Sequence, residues 1–154
     1  MGNTARAELI AGLGRVMQAY QRATDVLDQR VADRLGLNRT DMRCLELLFA
    51  PEPLSPGELA AAAGLTTGGV TTAIDRLERA GYVTRERAAT DRRRVTVHPT
   101  GHARRLVEEI YGPIVAEGNA HLARYDNATL TAMAEFLSFA TEQQYLHADR
   151  LAGA

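Results

Sequence analysis

The sequence predicts a mainly α chain with one small β-hairpin, an α+β architecture of long terminal helices around a short, heavily punctuated middle. Three observations carry this reading. Apolar residues recur every three or four positions through the first 35 residues and again beyond residue 100, the period of an amphipathic helix. Helix start and stop signals crowd residues 38–81, as three short helices require. Between residues 82 and 97 the pattern changes to that of short strands.

From Leu9 the series Leu9, Leu13, Val16, Tyr20, Leu27, Val31 and Leu35 describes one helix of about seven turns, with Gly36 in the usual C-terminal place. A helix that long in a small protein points to a subunit interface. Asn38 caps a second helix whose core face is Met42, Leu45, Leu48 and Phe49, and Pro51 and Pro53 stop it. Ser55 opens a third, with Pro56 at the first helical position and Glu58 completing a capping box. That helix breaks at Gly64. Thr66 caps a fourth, which runs to about Ala80 and stops at Gly81.

Residues 82–87 and 95–97 read as two strands around a loop of mixed charge. A hairpin directly after a helix-turn-helix is a wing. Pro99 then opens a long helix reaching about Tyr125, with Leu106, Ile110, Ile114 and Val115 on its apolar face. The Asp126-Asn127 pair caps a last helix carrying Leu130, Met133, Phe136, Leu137 and Ala140. The chain thus falls into flanking helical segments, residues 1–37 with 101–154, and a winged helix-turn-helix domain at 38–100.

Composition sets limits. A chain of 154 residues, 45% hydrophobic and 24% charged, is an ordinary globular domain able to bury a core. No stretch approaches the roughly 20 apolar residues of a membrane span. Arg6, Glu8 and Arg15 break up the N-terminus, so it does not read as a signal peptide, and Arg6 stands where a myristoylation motif wants Ser or Thr. The single cysteine, Cys44, excludes an internal disulfide framework. These features place the protein in the cytoplasm. The histidines show no metal-ligand spacing, and neither a metal nor a cofactor is expected.

The chemistry concentrates on the fourth helix. On a helical wheel Val70, Ile74 and Leu77 form one stripe, with Ala73 at its edge. Thr72, Asp75, Arg76 and Arg79 lie opposite, with Thr71 at the margin. Such a polar face fits any solvated helix, and it equally fits a recognition helix in the major groove. There arginine reads guanine, while threonine offers a hydroxyl and a methyl to the bases. Thr66, Thr67, Gly68 and Gly69 put exposed amides at the helix start, which suits a phosphate.

Charge separates the two readings. Residues 76–105 hold nine arginines and three acids, a net of +6, although the whole chain carries −1. Segregation on that scale is the electrostatic footprint of a nucleic-acid partner. Arg92, Arg93 and Arg94 in the hairpin loop would reach a minor groove or flanking phosphates. Asp91 is assigned to holding the wing in shape by pairing with Arg76 or a wing arginine.

The run at 54–60 (Leu-Ser-Pro-Gly-Glu-Leu-Ala), then Gly64 to Thr67, then Val70 through Val83, resembles the helix-turn-helix of the MarR family. Asp91, Arg92, Arg93 and Arg94 followed by Pro99 and Gly101 are similar to that family's wing signature. Two positions depart from it: His98 stands where a capping threonine is common, and Gly68 and Gly69 replace bulkier polar residues. Those glycines leave direct base reading to Thr71, Thr72, Asp75 and Arg76.

The resemblance implies a homodimer, with residues 1–37 and 101–154 as its helical dimerisation region, binding double-stranded DNA at a pseudo-palindromic operator with recognition helices about 34 Å apart. Ser55, Thr66, Thr67, Gly68, Gly69, Thr71, Thr72, Asp75, Arg76, Arg79, Arg92, Arg93 and Arg94 are the candidate DNA contacts. It further implies a repressor released by a small aromatic or phenolic ligand, for which Tyr20, Met42, Arg43, Tyr111 and His121 are candidate wall residues. Cys44 raises oxidation sensing as an alternative, and a winged-helix protein-interaction module without DNA binding is another. No glycine-rich phosphate loop, nucleophile elbow or paired carboxylates mark an enzyme.

Overall fold

The computed structural model describes residues 2–87 and 95–153. Asp91, Arg92, Arg93 and Arg94 therefore lie outside the described residues. The chain runs α1 (Gly2–Leu35), α2 (Arg39–Leu47), α3 (Pro56–Ala63), α4 (Thr67–Arg79), β1 (Val83–Arg87), β2 (Val95–Pro99), α5 (Gly101–Leu122) and α6 (Asn127–Ala152). It divides into two compact units, Met1–Val107 and Glu108–Ala154. No described helix is long and apolar enough to cross a membrane.

Local signals in the first unit act as the sequence predicts. Gly36 and Gly64 end α1 and α3 at φ +66°, and Gly81 follows α4 at φ +77°, a region that costs other residues about 1–2 kcal/mol. Asn38 Oδ1 accepts the Asp41 amide at 2.9 Å, which starts α2. At α3 the Ser55 amide donates to Glu58 Oε2 at 2.7 Å while Ser55 Oγ accepts the Glu58 amide, a complete capping box. Two helices depart in length: α1 begins at Gly2 rather than near Leu9, and α2 ends at Leu47, before the Leu48 and Phe49 expected on its core face, of which Leu48 is buried and Phe49 half-buried.

The apolar faces of α2, α3 and α4 meet in one core of Cys44, Leu45, Leu59, Val70, Ile74 and Leu77, all at most 2% exposed. Val31, Ala32 and Leu35 at the end of α1 are buried with them. The two strands pair antiparallel from Val83 opposite Pro99 to Arg87 opposite Val95. The Val97 amide also donates to Leu54 O at 2.9 Å, tying the hairpin to the segment before α3.

The junction after β2 corrects the sequence reading. Pro99 does not open a helix; it is the last residue of β2. Thr100 supplies the cap, since its Oγ1 accepts the Ala103 amide at 3.2 Å and donates to Gly81 O at 2.7 Å. His98 thus does not replace a capping threonine. It sits within β2 with its Nε2 2.8 Å from Thr96 Oγ1. Proline suits the end of this strand because it needs no ladder donor there.

In the second unit, α6 starts at Asp126, whose Oδ1 accepts the Thr129 amide at 2.8 Å. Hydrogen bonding from the Thr129 side chain, and after it from the Thr129 amide, holds the Asp126 carboxyl below its ordinary range. Helix α5 ends at Leu122, three residues before the predicted Tyr125. None of the described side chains from residue 108 onward is buried. Ile114, Val115, Met133, Phe136, Leu137 and Phe139 all stand in solvent.

Candidate nucleic-acid interface

Helix α4 presents the face that the wheel predicts. Val70, Ala73, Ile74 and Leu77 are at most 1% exposed, whereas Thr71, Thr72, Asp75 and Arg79 lie on the surface. What the wheel could not show is which of these polar groups already have partners.

Arg76 is engaged across the core edge. Its Nε donates to Asp41 Oδ2 at 2.7 Å and its Nη2 to Asp41 Oδ1 at 2.6 Å, a two-pronged pair joining α4 to α2. The Asp41 side chain is 3% exposed and the Arg76 side chain 37%. Asn38 Nδ2 adds a donor to Asp41 Oδ2 at 2.8 Å, so the buried carboxylate is fully served. Hydrogen bonding to Asp41 raises the Arg76 pKa against a smaller opposing desolvation. Arg76, one of the two partners expected for Asp91, thus pairs with Asp41, while Asp91 itself lies outside the described residues. Sequence reading missed Asp41, because an acid three residues after Asn38 looks like an ordinary first-turn residue.

A second clamp holds the opposite flank. Arg85 on β1 donates through Nη2 to Asp75 Oδ1 at 2.5 Å and through Nη1 to Glu78 Oε2. Partial burial would lower the Arg85 pKa, but the bonds and charges of Asp75 and Glu78 outweigh it and the net shift is upward. The wing strand is thereby pinned to α4. Asp75 and Arg76, the expected base readers, each hold an ion-pair partner within the chain while remaining 50% and 37% exposed. Counting Asp41 and Asp75 against the arginines they hold lowers the +6 excess of residues 76–105 to +4.

The remaining groups lie near the start of α4. Thr66 Oγ1 accepts the Gly69 amide at 3.1 Å, so that amide is used by the cap and is not offered to a phosphate. The Thr67 and Gly68 amides, first in the helix, have no carbonyl in a preceding turn. Thr71 Oγ1 donates to Thr67 O at 2.8 Å and Thr72 Oγ1 to Gly68 O at 2.9 Å. Arg79 Nε donates to Asp75 O at 3.1 Å. Ser55 is half-buried at the start of α3.

The candidate ligand residues fall in different units. In the first, Tyr20 is exposed on α1, Met42 is only 5% exposed in the core, and Arg43 Nη2 donates to Ala62 O at 3.5 Å. The core face assigned to Met42 is thus its position. In the second, Tyr111 is half-buried and His121 exposed, its ring 5.8 Å from that of Tyr125. Cys44 is fully buried, and burial followed by the Asp41 charge pushes its thiol pKa upward.

A family model described as MarR family matches residues 35–94. The HTH-type transcriptional regulator YcgE of Bacillus subtilis is 32% identical over 148 residues, covering 96% of each chain. Solved structures share the fold at lower identity. A MepR mutant of S. aureus bound to an oligodeoxyribonucleotide aligns with a TM-score of 0.57 at 17% identity, over 86% of this chain and 97% of that one. NadR in complex with 4-hydroxyphenylacetate aligns with a TM-score of 0.56 at 22% identity, over 81% and 91%.

Proposed function

This chain belongs to the MarR family of winged helix-turn-helix transcriptional regulators, and from that premise we propose that it is a homodimeric repressor of a pseudo-palindromic operator, released by a small phenolic ligand. The observation that carries the DNA reading is α4 itself, with one face wholly buried and the other exposed, polar and set in the arginine-rich segment. The oligonucleotide bound to MepR supports the same partner here. Arg79 and the arginines of the wing supply charge for phosphates, while the amides of Thr67 and Gly68 suit one phosphate at the helix start.

The dimer is supported by where apolar surface is left in water. Every large hydrophobic residue that is strongly exposed among the described residues lies at 9–26 or 114–151. Patches of that extent mark an interface, and α1, α5 and α6 are the helices that a second copy would cover. Residues 1–37 with 101–154 are accordingly assigned to dimerisation and 38–100 to DNA binding. The ligand class rests on the 4-hydroxyphenylacetate held by NadR. Its effect would be a shift between dimer states whose recognition helices do and do not match the operator spacing. Cys44, fully buried with its thiol pKa pushed upward, lacks the exposed, low-pKa thiol that oxidation sensing needs.

Gel-shift titration across salt tests the reading. DNA affinity should fall steeply with salt, and Arg92→Ala and Arg93→Ala should each lower the slope by about one. A salt-independent affinity unchanged by both substitutions would refute DNA binding. Light scattering at micromolar concentration should report a dimer, and addition of 4-hydroxyphenylacetate should release the operator.

A further inference from the structure

Recognition helices contact bases mainly through their N-terminal half, which in α4 leaves Thr72 at the middle of the polar face. Asp75 and Arg76 flank it and are held by Arg85 and Asp41. Arg79 lies in the last turn. Thr71 stands at the margin of the face, with its hydroxyl given to Thr67 O. The proton of Thr72 is likewise spent, donated to Gly68 O at 2.9 Å. While that bond holds, Thr72 offers DNA oxygen lone pairs and a methyl group.

Gly68 keeps this side chain uncovered. Helical side chains lean over the turn N-terminal to them, so Thr72 leans toward residue 68, which has no side chain. A Cβ built at Gly68 would meet nothing within 4 Å, so packing within the chain does not call for glycine there. The open first turn instead suits close approach of DNA.

Resting on the DNA-binding reading above, we propose that Thr72 is the specificity-determining residue of α4, selecting base edges that present a donor or a thymine methyl and rejecting guanine. In the major groove adenine offers its N6 amine, cytosine its N4 amine and thymine its methyl, whereas guanine shows two acceptors. Facing guanine, Thr72 would set oxygen lone pairs against acceptors or break its bond to Gly68 O. The neighbouring ion pairs remove the arginine and the carboxylate that would otherwise read guanine or cytosine at this place.

Selection from randomised duplexes with the full-length chain, followed by competition with single-base replacements, tests this. One position in each half-site should disfavour guanine. Thr72→Val keeps the methyl and loses the acceptor, so discrimination in favour of adenine or cytosine there should fall about threefold to tenfold. Thr72→Ser should retain that discrimination and lose any preference for thymine. Thr72 is exposed, so both variants should fold, which far-UV circular dichroism would verify. Guanine preferred at the Thr72-sensitive position, or base preferences identical in all three proteins, would overturn the proposal alone. A wild-type chain that binds no DNA would overturn the DNA-binding reading with it.

Discussion

Replacing Asp41 by alanine should be among the most destabilising single changes in the winged domain. The carboxylate is 3% exposed and takes both prongs of Arg76, at 2.6 and 2.7 Å. Removing one member of a buried pair costs roughly 3–5 kcal/mol when the orphaned charge stays buried. Here that charge is the Arg76 guanidinium, whose side chain is already 37% exposed and can rehydrate, so the loss should be about 2–3 kcal/mol. For a chain of 154 residues this lowers Tm by about 4–12 °C. Asp41→Asn keeps the shape and one acceptor and should cost about half as much. Adding Arg76→Met to Asp41→Ala should recover part of the loss, because an apolar side chain needs no counter-charge. Urea unfolding at fixed protein concentration is the assay, with an unchanged slope expected. A loss below about 1 kcal/mol for Asp41→Ala would refute the view that this pair fastens α4 to α2.

Three further outcomes follow. Gly68→Ala should raise stability by about 0.5–1 kcal/mol, since the added methyl meets open space and alanine favours the helix, while weakening operator binding; gains in both would exclude close DNA approach at this turn. Asp126 has a depressed pKa in the folded chain, so its charge stabilises above the ordinary aspartate range near pH 4 and the benefit disappears as pH falls through the depressed value. The stability difference between wild type and Asp126→Asn should therefore vanish in acid, and a difference constant from pH 2 to 6 would count against the cap. Cys44, fully buried with a raised pKa, should react with a thiol reagent at pH 8 only as fast as the domain opens; rapid modification of the native protein would restore oxidation sensing as a candidate.

The sequence alone determined the parts of this protein that are built from near neighbours. Asn38, Ser55 and Thr66 cap their helices through groups three residues away, and Gly36, Gly64 and Gly81 stop theirs by adopting positive φ. The 3.6-residue period likewise separated Val70, Ile74 and Leu77 from the polar face. Even close to hand it faltered where two signals competed, as when Pro99 resembled a helix start and Thr100 proved to be the cap. Only the tertiary structure decided the chemical state of the recognition face. Asp41 reaches Arg76 across 35 positions and Arg85 reaches Asp75 across 10, and such pairings depend on how helices and strand pack, a property no local pattern encodes. A wheel can tell that an arginine points outward from the core. Packing decides whether that arginine remains available to DNA, and here it assigns Arg76 to Asp41 and leaves the centre of the face to Thr72.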